Sequence, residues 1–256
     1  MIDLETSNGI AVVTIKHGKV NALDIELCED LAHCLEELRS SDARAVVLTG
    51  QGRVFSAGVN LLRLISGGAD YVRKFLPTLH RLYDVAFFYP KPMVTAINGH
   101  AIAGGCLLAC CGDQRIMARG SGRIGVTEML VGVPFPALAF EITRFAVPPR
   151  DVAEFTFGGA TFDPDVALRR GWVDEVVEPD ALLPRSIAAA QTLARLSPIA
   201  FSQNKQQVRE PVAERLERSG AATDKAVTDI WANPETLSYV RNYVARVLKK
   251  AELAVG

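Results

Sequence analysis

The chain has 256 residues, 49% of them hydrophobic and 22% charged, the balance of a folded protein near the size at which single cores stop growing. Its net charge of −1 gives no overall pull toward nucleic acid or an anionic membrane, so neither is expected as a partner. The five cysteines are odd in number and lack CxxC spacing, which argues against a disulfide framework and for a reducing cytoplasm.

Leu4 to Lys16 reads as a hairpin around the two-residue turn Asn8-Gly9. Ile25 to Arg39 has helical spacing, with Leu27, Leu31, Leu35 and Leu38 on one face and Asp24 as N-cap. Ala45 to Gly50 is a short buried strand. Asp70 to Phe88 is a helix with Pro77 as a kink or boundary, and Pro92 to Ile97 is the next buried strand. Asp113 to Ala118 and Arg123 to Val126 are short strands. From about Pro136 the chain is mostly helical, interrupted by a strand over Trp172–Val177. The longest apolar candidate for a membrane span, Pro92 to Cys111, is broken by Asn98-Gly99-His100 and Gly104-Gly105. Strand, strand and helix recur through the first half, the mark of a mixed α/β core.

Two stretches stand out, Phe55-Ser56-Ala57-Gly58-Val59-Asn60-Leu61 and Asn98-Gly99-His100-Ala101-Ile102-Ala103-Gly104-Gly105-Cys106-Leu107-Leu108. Each is an apolar strand that breaks into small residues and then starts a helix. Such breaks expose backbone N–H groups with no helical acceptor, and two aimed at one point make a pocket for a developing negative oxygen. Taken singly, either break could equally serve only a tight turn and close helix packing. The four histidines, His17, His33, His80 and His100, show no metal-ligand spacing, and His100 beside Gly99 reads as a turn residue; no metal is expected.

Together these stretches resemble the enoyl-CoA hydratase/isomerase (crotonase) family, and the resemblance spans nearly the whole chain. Asn21-Ala22-Leu23, Gly58, the Gly104-Gly105 pair, Glu128 within Ile124-Gly125-Val126-Thr127-Glu128, Gly171-Trp172-Val173-Asp174-Glu175-Val176-Val177, and Ser197-Pro198 ahead of Lys205 match family positions in order. The resemblance implies a crotonase-like spiral of ββα turns over residues 1–195, holding an acyl-CoA site, and a helical region over 196–256 that covers the site and binds neighbouring subunits. It implies a homotrimer or dimer of trimers. It also implies no cofactor beyond the coenzyme A of the substrate.

By the same resemblance the oxyanion donors are the N–H groups of Val59 and Gly104, and Glu128 is the acid–base residue. Ala22, Leu23, Ala57, Gly58, Asn60, Leu61, Leu62 and Gly105 line the substrate path, with Arg63 or Lys19 as candidates to meet phosphates. Many hydratases of the family carry a glutamate where this chain has Leu107, which leaves one acid instead of two and an apolar wall that would raise the Glu128 pKa. This pattern looks like the isomerase branch, in which one carboxylate moves a proton between two carbons. Glu141, in an apolar helical run, is a possible second acid or else a partner of Arg144 or another base; Phe135, in Val133-Pro134-Phe135-Pro136, reshapes the acyl pocket. The readings to be weighed are an isomerase, a hydratase recruiting Glu141 or a water, and a catalytically silent acyl-CoA binder. A serine peptidase of related fold lacks any evident Ser-His-Asp set. The apolar residues Val227, Ile230, Trp231, Leu237, Val240, Tyr243 and Val244 read as an oligomerisation face.

Overall fold

The computed structural model describes the backbone of residues 1–255 and the side chains of residues 1–247. A hairpin opens the chain, β1 (Ile2–Ser7) and β2 (Ile10–Ile15), with Ser7 opposite Ile10. The intervening Asn8 and Gly9 both have positive φ, +50° and +75°, which suits a tight two-residue turn and explains why asparagine and glycine stand there. Helix α1 (Ile25–Ser40) follows, with the Leu27 N–H donating to Asp24 Oδ1 at 3.0 Å. Next come β3 (Ala45–Gly50), β4 (Val54–Ser56), α2 (Leu61–Phe87), β5 (Met93–Ile97), β6 (His100–Ile102), α3 (Gly104–Cys110), β7 (Gln114–Ala118), β8 (Ile124–Gly125) and α4 (Glu128–Val131). The remainder is α5 (Ala137–Ala146), α6 (Val152–Gly158), α7 (Pro164–Arg169), β9 (Glu175–Val177), α8 (Leu182–Ala194), α9 (Pro198–Trp231) and α10 (Pro234–Val255).

The strands form two sheets. One has the order β1-β2-β3-β5-β7-β9 and is parallel beyond the hairpin; the other is the parallel trio β4-β6-β8. Each turn of the chain gives one strand to the large sheet, one to the small sheet and then a helix, as β3-β4-α2, β5-β6-α3 and β7-β8-α4. This is the spiral of ββα turns. Alternation along the strands places side chains on both faces, and the central strands β3, β5 and β7 are covered on each, while β1 at the edge is largely exposed. Val46, Leu48, Met93, Ile97 and Met117 face the main core with α1, α2 and α3. Their neighbours Ala45, Val47, Val94, Ala96 and Ile116 face Leu182, Ala189 and Ala190 of α8.

Four expectations need correction. The helix expected over Asp70–Phe88 is present but is joined at its front to a further helical segment that begins at Leu61, capped by Asn60, whose side chain accepts from the Arg63 N–H. Its break lies at Gly68 (φ +59°, ψ −150°), whereas Pro77 sits inside the helical run. The strand expected over Trp172–Val177 starts only at Glu175, because the Trp172 N–H closes α7 on the Ala167 carbonyl and its ring packs on Phe155 in the core. His100 opens β6 opposite Val54 and is no turn residue. The apolar stripe at the end of α9 and in α10 is largely used within the chain: Val227, Trp231 and Val240 are buried in the main core, and Leu237 and Tyr243 pack against it.

Candidate active site

The first break is held by a clamp of short-range bonds. Asn21, itself at φ +49°, donates through its amide to the Val54 and Phe55 carbonyls at 2.9 and 3.2 Å. The Ser56 hydroxyl donates to the Asn21 carbonyl at 2.7 Å and accepts from the Gly58 N–H at 3.2 Å. Leu23 bridges the strand end, its N–H donating to the Gly58 carbonyl and its carbonyl accepting from Asn60, both at 2.8 Å. Ala22 is half-buried beside it and Leu23 is fully buried. The Gly58 N–H and carbonyl and the Asn60 N–H on either side of Val59 are thus engaged, while the Val59 N–H has no acceptor among the described residues.

At the second break Ala103 takes φ +50°, a conformation costly for a residue with a Cβ, and α3 begins at Gly104. The Gly104 N–H also lacks an acceptor among the described residues. The buried Tyr83 hydroxyl donates to the Gly104 carbonyl at 3.0 Å, tying α2 to this turn. The two breaks touch. A Cβ built on Gly58 (φ +80°) would lie 2.6 Å from the Ile102 carbonyl oxygen and 3.0 Å from the Gly104 nitrogen, so only glycine allows this approach. Gly105 is buried directly against the Ser56 carbonyl.

Between the breaks lies a cavity of about 100 Å³, lined by Ala57, Val59, Ile102, Ala103, Glu128 and Val131 among others. Glu128 enters it from the first residue of α4. Its carboxylate is buried, and Oε2 has no hydrogen-bond partner among the described residues. Burial pushes its pKa up to about 7, against backbone hydrogen bonds that lower it. Such a group is a base near neutral pH. Leu61 and Thr127 complete the near wall.

The cavity departs from the sequence reading at several points. Leu107 is buried one turn into α3 and is not among the lining residues; the apolar wall comes from Val59, Ile102, Val131 and Val133 instead. Phe135 and Glu141 line a separate cavity of about 470 Å³. There Glu141 accepts from Arg144 at 3.0 Å and Arg215 at 2.7 Å, so this carboxylate is committed to ion pairs away from Glu128. Asn60 caps α2, and Leu62 is exposed. Arg63 pairs with Glu26 at 2.7 Å on the surface, and Lys19 is exposed. Seven lining residues escaped the sequence reading as site residues, Ile102, Ala103, Thr127, Val131, Val133 and, farthest along the chain, Trp231 and Tyr243. The only signal of the last two was the C-terminal apolar stripe, which periodicity cannot assign to a pocket. Among the described residues no three His, Cys, Asp or Glu side chains gather as a metal set, and no helix is long and apolar enough to cross a membrane.

Paired backbone donors at strand-to-helix breaks, a buried carboxylate and a ββα spiral define an enzyme-like site for stabilising an oxyanion. The model of the enoyl-CoA hydratase/isomerase family matches residues 5–244, and the chain belongs to that family. It is 26% identical to the mouse mitochondrial enoyl-CoA delta isomerase 1 over 98% of this chain and 88% of the relative. It is 31% identical to a probable enoyl-CoA hydratase of Mycobacterium tuberculosis over 72% of this chain and 70% of that one. Among solved structures, human mitochondrial delta3-delta2-enoyl-CoA isomerase superposes with a TM-score of 0.92 at 26% identity, covering 97% of this chain and 98% of its own. A probable enoyl-CoA hydratase of M. tuberculosis gives 0.77 at 29% identity, covering 99% and 97%. Relatives of both activities are therefore present at similar identity.

Proposed function

We propose that the protein is an isomerase of fatty-acid metabolism that moves the double bond of a 3-enoyl-CoA to the 2-position. The observation that carries this reading is that Glu128 is the one carboxylate among the described residues lining the cavity. Hydration by the family's two-acid route needs a second carboxylate to place water, and the candidate, Glu141, is held by two arginines elsewhere. Isomerisation needs only one.

The thioester oxygen would accept the N–H groups of Val59 and Gly104. Glu128 takes the proton from C2, the charge spreads over a dienolate whose oxygen the two donors stabilise, and Glu128 returns the same proton to C4. The double bond is left between C2 and C3, with no atom gained or lost. One preorganised donor of this kind contributes roughly 3–4 kcal/mol to such a step. The apolar walls keep water from the intermediate.

The coenzyme A portion is proposed to run along Ala22-Leu23 and Val59 to Leu62, with no further cofactor. A homotrimer or dimer of trimers is proposed, to be checked by light scattering. The five free cysteines suit a reducing compartment such as the cytoplasm.

The test is parallel incubation with a 3-enoyl-CoA and a 2-enoyl-CoA, following double-bond position and water incorporation. Conversion of the 3-enoyl thioester without hydration is expected. Hydration of the 2-enoyl thioester would overturn the single-carboxylate reading, and tight binding with neither reaction would make the protein a binder.

A further inference from the structure

Part of the wall of the Glu128 cavity is built by residues about 100 positions further along the chain. Trp231, the last residue of α9, and Tyr243, on α10, both line it. Two contacts hold them there. The Trp231 Nε1–H donates to the Pro134 carbonyl at 2.8 Å, fixing the end of α9 to the loop that follows Glu128 and Val131. Gly132, at φ +87°, closes α4 with so little room that a Cβ would lie 2.3 Å from the Tyr239 ring of α10. Glycine at that position lets α10 rest on the site helix, with Tyr243 one turn further on.

The size of the space is informative. A cavity of about 150 Å³ holds one benzene, six carbons. At the same packing, the cavity of about 100 Å³ holds about four. The larger cavity of about 470 Å³ nearby shares no lining residue with it among the described residues, and the Trp231–Pro134 bond joins a wall residue of one to a wall residue of the other. A long acyl chain has no ready route between them.

We propose that Trp231 and Tyr243 form the end wall of the acyl site and confine the enzyme to short enoyl thioesters of about four to six carbons. This rests on the acyl-thioester reading above. The wall is rigid on one side, where Trp231 is buried and bonded, and adjustable on the other, where Tyr243 is only partly buried. Tyr243 is therefore the residue whose size sets the length limit.

The experiment compares kcat/KM for 3-hexenoyl-CoA and 3-decenoyl-CoA in the wild type, Tyr243→Ala, Tyr243→Leu and Tyr243→Phe. A single misfitting methylene discriminates by about 10–200-fold. The wild type is expected to favour hexenoyl by at least tenfold, and both shortened variants to reduce that ratio by at least tenfold. Tyr243→Phe, which keeps the ring, is expected to retain the wild-type ratio. Equal use of both lengths by the wild type would overturn the proposal, as would an unchanged ratio in a folded Tyr243→Ala or Tyr243→Leu protein. If no 3-enoyl-CoA is turned over, the reaction assignment fails, and the wall is judged by calorimetric binding of hexanoyl-CoA against decanoyl-CoA. A tenfold preference for hexanoyl there sustains the wall, and equal affinity removes it.

Discussion

Replacing Glu128 by glutamine is expected to abolish turnover and stabilise the fold in the same molecule. The carboxyl is buried with Oε2 unpaired, and its pKa rises from 4.5 to about 7. For an acid shifted upward, the folded state prefers the neutral form. The associated stability is fully present below 4.5 and is lost as pH rises through about 7. At 1.36 kcal/mol per unit, the shift costs the wild type about 3 kcal/mol once the group is ionised. Glutamine is neutral at every pH and escapes that cost. Thermal melts of wild type and Glu128→Gln at pH 4.5 and pH 8.5 would read it directly. The two proteins should melt together in acid, and the variant should melt about 6–12 °C higher at alkaline pH, at about 2–4 °C per kcal/mol for a chain of this size. A gap between them that does not change with pH would refute the reasoning, because it would mean that the buried carboxylate is not paying a desolvation cost. The same group sets the pH–rate profile: kcat should rise with pH as Glu128 ionises, with an apparent pKa near 7.

Gly58→Ala forces a methyl group at φ +80° to 3.0 Å from the Gly104 nitrogen; kcat should fall about 10²–10³-fold, and steady-state kinetics showing a loss under threefold would dismiss Gly104 as a donor. Glu141→Gln should leave isomerisation within about threefold of wild type, since its carboxylate faces Arg144 and Arg215 and not the Glu128 cavity; loss of activity in a folded variant would restore it as a second acid. Asp113 accepts from Lys205 at 2.6 Å and Arg209 at 2.8 Å, both cations being buried. Asp113→Asn strands both, and denaturant unfolding should show a loss of about 3–5 kcal/mol; a loss under 1 kcal/mol would mean that the cluster is solvated.

What the sequence disclosed and what it hid divide along a physical line. Features written in adjacent residues were legible. Asn8-Gly9 needs only its own backbone conformation to turn, Asp24 needs only the Leu27 N–H to cap α1, and each small-residue break exposes its own N–H groups. Features that depend on what packs against what were not. Leu61, Leu64 and Ile65 carry helical spacing, but Gly67-Gly68 masked the start of α2. The run Trp172–Val173 is as apolar as a strand, yet its backbone caps α7. Phe135 and Glu141 sit close in sequence to Glu128 but on the other side of the Trp231–Pro134 contact. Trp231 and Tyr243 show the limit most clearly, because an apolar stripe at helical spacing has the same pattern whether it meets a subunit, a core or a substrate.

That last pair has a consequence for how the molecule comes to life on the ribosome. Glu128 and Tyr243 are separated by 115 residues, so at roughly 5–20 residues per second about 6–23 s pass between their syntheses. In that interval β1 to β8 and both breaks have been made, but β9 comes only partway through it, one wall of the pocket is missing and the Glu128 carboxyl is more open to water. Its acidity then stays nearer the ordinary carboxylate value, so at neutral pH the group is ionised but a weaker base than in the finished site. The carboxylate is expected to reach its full basicity only once α10 packs against α4 and closes that wall.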